Sequence, residues 1–101
     1  MVRQSQTGER IGARLLVRGR VQGVGYRFFA EDVARALKLA GWVRNLPGGD
    51  VESYAEGPRP VVESYIEELR RGPSMAHVEH VSVDWQPPQN RYDSFSIISG
   101  Y

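Results

Sequence analysis

The ten residues from Gly19 to Phe28 read Gly-Arg-Val-Gln-Gly-Val-Gly-Tyr-Arg-Phe, and they separate an alternating apolar segment from an amphipathic one. Gly23 and Gly25 bracket Val24, and Arg27 falls where a helix is expected to begin. Glycines allow backbone N–H groups to turn inward, and a helix N-terminus adds partial positive charge. The stretch therefore predicts a strand–loop–helix unit whose loop can bind an anion such as phosphate.

The segments on either side of this loop have the periods of a strand and a helix. From Ile11, apolar residues alternate as in a half-buried strand, at Ala13, Leu15 and Val17. After the loop, apolar residues recur on one helical face, at Phe29, Val33, Leu37 and Ala40. Gly41 is placed to end that helix.

The rest of the chain predicts a hairpin, a second helix and two further strands. Strands at 42–46 and 51–55 flank a Pro-Gly-Gly-Asp turn. Pro60 suits the first position of a second helix, which Gly72-Pro73 ends. A fourth strand, in which Val81, Val83 and Trp85 alternate, and a short one around Phe95 and Ile97 follow. This β-α-β-β-α-β order with an extra C-terminal strand predicts a ferredoxin-like α+β sandwich, an antiparallel sheet with two helices on one face.

Length and composition limit the classes of protein that remain. The 101 residues predict a single domain at 11–101, preceded by a flexible polar tail at 1–10. The formal charge of +1 is too balanced to imply nucleic acid or an anionic membrane. There is no cysteine, which excludes disulfides, thiolate metal sites and a thiol nucleophile. With no apolar run of membrane-spanning length, we expect a cytoplasmic protein that associates with neither membranes nor nucleic acid.

The familiar catalytic and metal-binding motifs are missing from the sequence. No Walker-type loop, zinc cluster or paired histidine and nucleophile is present. His77 and His80 are three residues apart on a predicted strand, so they are expected to point to opposite faces. We interpret both histidines as non-catalytic and predict neither a metal nor a cofactor.

Spacing alone leaves two interpretations of the loop open. Gly23 and Gly25 could simply permit a tight turn, with Arg27 a solvated helix residue in a weak surface ion pair. Alternatively, backbone donors and the Arg27 guanidinium bind one phosphate or carboxylate together. Asn45 is equally ambiguous: a polar amide that shares a strand face with core Val43 needs partners, yet asparagine is also common before a turn.

Two stretches resemble the signatures of the acylphosphatase family. The first is Gly19-Arg20-Val21-Gln22-Gly23-Val24-Gly25-Tyr26-Arg27. The second runs from Gly41 to Val51, Gly-Trp-Val-Arg-Asn-Leu-Pro-Gly-Gly-Asp-Val, and is followed by Gly57. The segment from Leu69 to Val78 is also similar to the family. The resemblance covers roughly residues 13–101 and implies the same ferredoxin-like sandwich.

The same resemblance implies an activity and a site. The family hydrolyses carboxyl-phosphate mixed anhydrides to a carboxylate and inorganic phosphate without metal, and phosphate is then both product and inhibitor. By resemblance, Arg27 binds the phosphoryl group and Asn45 orients the attacking water. The phosphate cradle is then expected at Gln22, Gly23, Val24, Gly25, Tyr26 and Arg27, through their backbone N–H groups.

Other functions of this fold remain alternatives at this point. RNA-recognition domains share the topology but stack bases on aromatic residues of the central strands, whereas the third strand here is acidic with a single aromatic, Tyr54. A non-catalytic domain that binds a small metabolite is a second alternative. A related one is a phosphate-handling domain like those inside larger carbamoyl-transferring proteins.

Overall fold

The computed structural model describes residues 9–100. The tail predicted at residues 1–10 therefore lies, for residues 1–8, outside the described part of the chain. The described elements, in order, are β1 (Arg10–Arg20), α1 (Tyr26–Ala36), β2 (Ala40–Asn45), β3 (Val51–Pro58), α2 (Arg59–Arg71), β4 (His77–Gln86) and β5 (Phe95–Ile97). This order confirms the predicted ferredoxin-like α+β fold with a short C-terminal strand.

The strands form one sheet in the order β4-β1-β3-β2-β5. The first four pair antiparallel, as predicted, whereas β5 pairs parallel to β2, so the complete sheet is mixed. Val51 of β3 lies between Val17 of β1 and Asn45 of β2. Because β1 continues past Val17 to Arg20, the loop after β1 leaves the sheet at the end where β2 finishes.

The core lies between the helices and one face of the sheet. Burial of apolar side chains supplies most of the stabilisation of such a layer, at about 25 cal/mol per Å². The strand residues in it include Ala13, Leu15, Val17, Val43, Val51 and Ala55, and the helix residues include Ala30, Ala34, Val62, Ile66 and Leu69. The predicted stripe of the second helix, Val62, Ile66 and Leu69 with Tyr65, is confirmed, since all four residues are buried.

The opposite face of the sheet carries charged groups in paired positions. The Glu52 carboxylate accepts from Arg14 Nε and lies against Arg44 Nη2, both at 2.7 Å. Burial raises the pKa of Glu52, but hydrogen bonds and charge from Arg44 and Arg14 outweigh that effect and hold the pKa below its usual value. These pairs neutralise Glu52 on the face that the helices leave uncovered.

The ends of the helices differ from the sequence prediction. α1 ends before Gly41: Lys38 has φ 60°, and its N–H and that of Leu39 donate to the carbonyls of Arg35 and Ala34. This is a Schellman motif with lysine in the left-handed position that glycine usually occupies. β3 continues to Pro58 and α2 begins at Arg59, one residue earlier than Pro60 suggested. Neither helix in residues 9–100 is long and apolar enough to cross a membrane.

Candidate active site

The loop between β1 and α1 has the backbone conformation that its glycines predict. Gly23 has φ 74° and Gly25 has φ 76°, both in the left-handed region that side chains disfavour. A Cβ atom built on either glycine meets no atom within 4 Å, so the space beside each is open. These glycines are therefore required by backbone conformation and not by close packing.

This loop leaves a run of backbone donors unused by the protein. Within residues 9–100, the N–H groups of Gly23, Val24 and Gly25 donate to no backbone or side-chain acceptor. The first N–H groups of any α-helix have no intrahelical partner. In α1 they also lack a side-chain cap, because the N-cap residue is Gly25. Together with the positive end of the helix dipole, these donors suit an anion.

Arg27, the second residue of α1, is half-buried and has no partner among the described residues. In the same part of the chain, seven other arginines form ion pairs with glutamates. A guanidinium that protein carboxylates do not neutralise can bind a phosphate or carboxylate through two parallel hydrogen bonds. Arg27 follows the glycine loop by two residues, so the first turn of α1 carries a charged donor that no described residue pairs.

Asn45 is the last residue of β2, two positions after the fully buried Val43. Its Oδ1 atom is buried and accepts no hydrogen bond within residues 9–100. A buried acceptor without a partner costs stability and is rare in folded proteins. The Asn45 amide therefore has acceptor capacity that the protein groups in residues 9–100 leave unused.

The side chain of Gln22 connects the loop to the turn that follows Asn45. Its Nε2 donates to the carbonyl oxygens of Leu46 and Asp50, each at 2.8 Å. From the sequence, Gln22 was predicted to act only through its backbone N–H. The residue pattern offers no signal for this side-chain contact. The strand register and these two bonds place the glycine loop and Asn45 at the same end of the sheet.

The two histidines are exposed residues of the edge strand. His77 and His80 both lie on β4 and are exposed. No group of three histidine, aspartate or glutamate side chains in residues 9–100 could hold a metal ion. The polar groups at this end of the sheet suit anion binding and the positioning of a small polar molecule.

Comparison with known proteins identifies the kind of enzyme to which this geometry belongs. The sequence model of the acylphosphatase family matches residues 13–97. The chain belongs to the acylphosphatase family. The acylphosphatase of Chloroflexus aurantiacus is 43% identical over 88 residues, which are 87% of this chain and 96% of that protein. The chain is accordingly an enzyme, and the family expected from the two signatures is confirmed.

Solved structures agree with this membership of the acylphosphatase family. The crystal structure of acylphosphatase from Bacillus subtilis superimposes with a TM-score of 0.84 at 40% identity, covering 87% of this chain and 98% of that one. Full-length HypF, in its phosphate- and nucleotide-bound form, matches with a TM-score of 0.83 at 28% identity. That match covers 91% of this chain and 12% of HypF, so the same fold also occurs inside a much longer protein.

Proposed function

We propose that this acylphosphatase hydrolyses the carboxyl-phosphate bond of small acyl phosphates to a carboxylate and inorganic phosphate. In this proposal Arg27 and the backbone N–H groups of residues 22–27 bind the phosphoryl group, and Asn45 orients the attacking water. The observation that carries it is the half-buried Arg27, which has no partner among the described residues, beside a glycine loop with unused N–H groups.

The chemistry needs few side chains because the leaving group is a carboxylate. A carboxylate departs without the proton that an amine or alkoxide requires, so no general acid is needed. Phosphoryl transfer depends chiefly on positioning and on stabilising negative charge spread over the phosphoryl oxygens. One guanidinium and several fixed N–H donors supply that stabilisation without a metal ion.

Asn45 acts on the water in this scheme. The Asn45 amide, whose Oδ1 has no protein partner within residues 9–100, hydrogen-bonds the water and directs the water oxygen at phosphorus. The new P–O bond forms as the bond to the acyl oxygen breaks, and the electron pair leaves with the carboxylate. A phosphoryl oxygen of the substrate takes the proton of the water, so no side chain is required as a base.

The same proposal covers the partners of the enzyme. Inorganic phosphate, as the product, binds the Arg27 guanidinium and the backbone N–H groups of residues 22–27, and it thereby inhibits the hydrolysis. The acidic third strand supports no role in nucleic-acid binding: Glu52 and Glu56 of β3 lie on the face opposite the helices. The absence of cysteine suits a reducing compartment, and we place the activity in the cytoplasm.

The decisive experiment separates the roles of the two side chains. Hydrolysis of acetyl phosphate is measured with and without a chelator, together with inhibition by phosphate. We expect activity that a chelator leaves unchanged. Arg27→Ala should weaken phosphate inhibition and turnover together, by about tenfold or more, because a charge-assisted contact contributes about 1.5–3 kcal/mol. Asn45→Ala should lower kcat and leave the inhibition constant of phosphate nearly unchanged.

Other outcomes would overturn the assignment. Arg70→Ala is the control, since the pair that Arg70 forms with Glu67 is exposed and its loss should leave the kinetics as in wild type. Normal kinetics in Arg27→Ala would remove Arg27 from the site. Loss of phosphate binding with an unchanged kcat in Asn45→Ala would contradict its action on water. An absence of turnover in the wild-type protein would favour a binding domain.

A further inference from the structure

The side chain of Gln22 spans the two halves of the proposed site. Its single amide group donates to both ends of the turn between β2 and β3, at the carbonyls of Leu46 and Asp50, with both distances 2.8 Å. The turn is itself closed by the Leu46 N–H, which donates to the same Asp50 carbonyl at 2.8 Å. Both hydrogens of the Gln22 amide are therefore committed to the turn.

The position of Gln22 in the chain gives this contact its significance. Gln22 opens the glycine loop, directly before Gly23, while Leu46 directly follows Asn45. The described hydrogen bonds therefore link the backbone that would hold the phosphoryl group to the backbone that carries the water-orienting amide. The loop itself forms no regular strand or helix between Arg20 and Tyr26. Its placement against the turn consequently depends on side-chain contacts such as this one.

We propose that Gln22 is a positioning residue for the hydrolysis, because its side chain fixes the spacing between the phosphate cradle and Asn45. This inference rests on the proposed roles of Arg27 and Asn45 and adds a side chain that itself touches neither substrate nor water. Reaction rates depend steeply on this kind of spacing, since a displacement of about 1 Å can cost about 100-fold. Loss of the side-chain amide should therefore affect turnover more than phosphate binding, for which the backbone donors and Arg27 remain.

The test is a double-mutant cycle measured on acetyl phosphate hydrolysis by the full chain. Gln22→Met keeps the length of the side chain and removes both donors. We expect it to lower kcat about tenfold or more, with KM and the phosphate inhibition constant within about twofold of wild type. In an Asn45→Ala background the same substitution should change kcat by less than about twofold, because the residue that Gln22 positions is gone.

Two further variants separate positioning from a general loss of stability. Gln86→Met is the matched control: the Gln86 amide donates to Asp84 at 3.1 Å on the exposed part of β4, and its loss should leave kcat unchanged. Gln22→Glu removes both donors at neutral pH and regains a hydroxyl donor as the carboxyl protonates, and two facing carbonyl oxygens raise the pKa of that carboxyl above the ordinary glutamate value. The kcat of Gln22→Glu relative to wild type should then rise as the pH falls from 7 to 4. This variant replaces Gln22→Met in the test if Gln22→Met does not fold.

The outcomes distinguish this inference from the proposed function. A wild-type kcat in Gln22→Met, or an equal loss of kcat in both backgrounds, overturns the positioning role alone. So does a Gln22→Glu rate that does not recover at low pH. An unchanged kcat in Asn45→Ala overturns the proposed role of Asn45 and, with it, the action of Gln22 through that residue.

Discussion

Gly41 lies so close to Tyr54 that a Cβ atom on residue 41 would sit 1.9 Å from the Tyr54 carbonyl oxygen. Gly41 belongs to β2 and pairs with Ala55 of β3, and its φ of 143° lies in the region that favours glycine. This residue therefore permits the close approach of two central strands, and β2 leads directly to Asn45. The sequence had suggested the end of a helix at this position, which is wrong.

Gly41→Ala should accordingly be among the most damaging small substitutions in the chain. Backbone strain and a clash with fixed backbone atoms each cost about 1–3 kcal/mol, so we expect a loss of at least about 2 kcal/mol in the free energy of unfolding. Urea denaturation measures this loss. Gly48→Ala is the control, because φ is 95° there but a Cβ meets nothing within 4 Å, and it should cost about 1 kcal/mol. Equal losses in the two variants would contradict the role of the close approach.

The periodicity of apolar residues predicts the buried face of α2. The stripe at Val62, Ile66 and Leu69 is visible in the sequence because burial of one helical face imposes a period of 3.6 residues. The position of α2 between β3 and β4 was predicted for the same reason. The end of α1 was not predicted, because Lys38 adopts the left-handed conformation that side chains disfavour, and the next residue, Leu39, is buried. The general preference for glycine at this position pointed to Gly41 instead.

Some features of the candidate site could be predicted from the sequence, and others could not. The glycine loop and Arg27 could be chosen from sequence because their conformation and charge are local properties of the chain. The burial of the Asn45 Oδ1 atom without a protein partner in residues 9–100 depends on the fold and could not be predicted from the sequence. The contact of Gln22 with Leu46 joins residues 24 positions apart, and no local pattern encodes it.

Tyr26, the residue before Arg27, anchors the start of α1 to the end of α2. Its buried hydroxyl donates to the Leu69 carbonyl at 2.7 Å, and burial raises its pKa above the usual value, so the hydroxyl remains a donor. Pro73, four residues after Leu69, has no N–H to offer that carbonyl. Tyr26→Phe should therefore leave a buried acceptor unsatisfied and cost about 1–3 kcal/mol in urea denaturation. Tyr92→Phe should lower the free energy of unfolding by less, because the hydrogen bonds of the Tyr92 hydroxyl are 3.2 Å long. A larger loss in Tyr92→Phe than in Tyr26→Phe would contradict this account.

The buried carboxylate of Glu56 should make stability depend on acidity. It accepts from the Tyr54 hydroxyl at 2.6 Å and from the Gln89 N–H at 2.8 Å. Burial raises the pKa of Glu56, but these bonds, with those from Asn90 and Arg10, outweigh it and leave the pKa below its usual value. The stabilisation is then complete above the unfolded pKa of about 4.3 and is lost as the pH falls through the lower folded pKa.

The check on Glu56 is a series of urea denaturation curves at pH values from about 6 to 3. The wild-type midpoint should fall towards acid, whereas Glu56→Gln should begin lower and show a flatter slope over the same interval. Glu63→Gln serves as the control, since that carboxylate makes an exposed pair with Arg59 and should reproduce the wild-type slope. Parallel curves for wild type and Glu56→Gln would show that Glu56 does not set the acid sensitivity.

Inorganic phosphate should stabilise the folded enzyme through Arg27 independently of turnover. A ligand that binds only the native state at 100 times its dissociation constant adds about 2.7 kcal/mol, which thermal denaturation detects as a rise in Tm. Arg27→Ala should abolish most of that rise. Arg27→Lys should also reduce it, because an ammonium cannot form the two parallel bonds of a guanidinium. Asn45→Ala and Arg70→Ala should keep it. A full rise in Arg27→Ala would place the phosphate elsewhere, and its loss in Asn45→Ala would show that Asn45 binds the anion instead of the water.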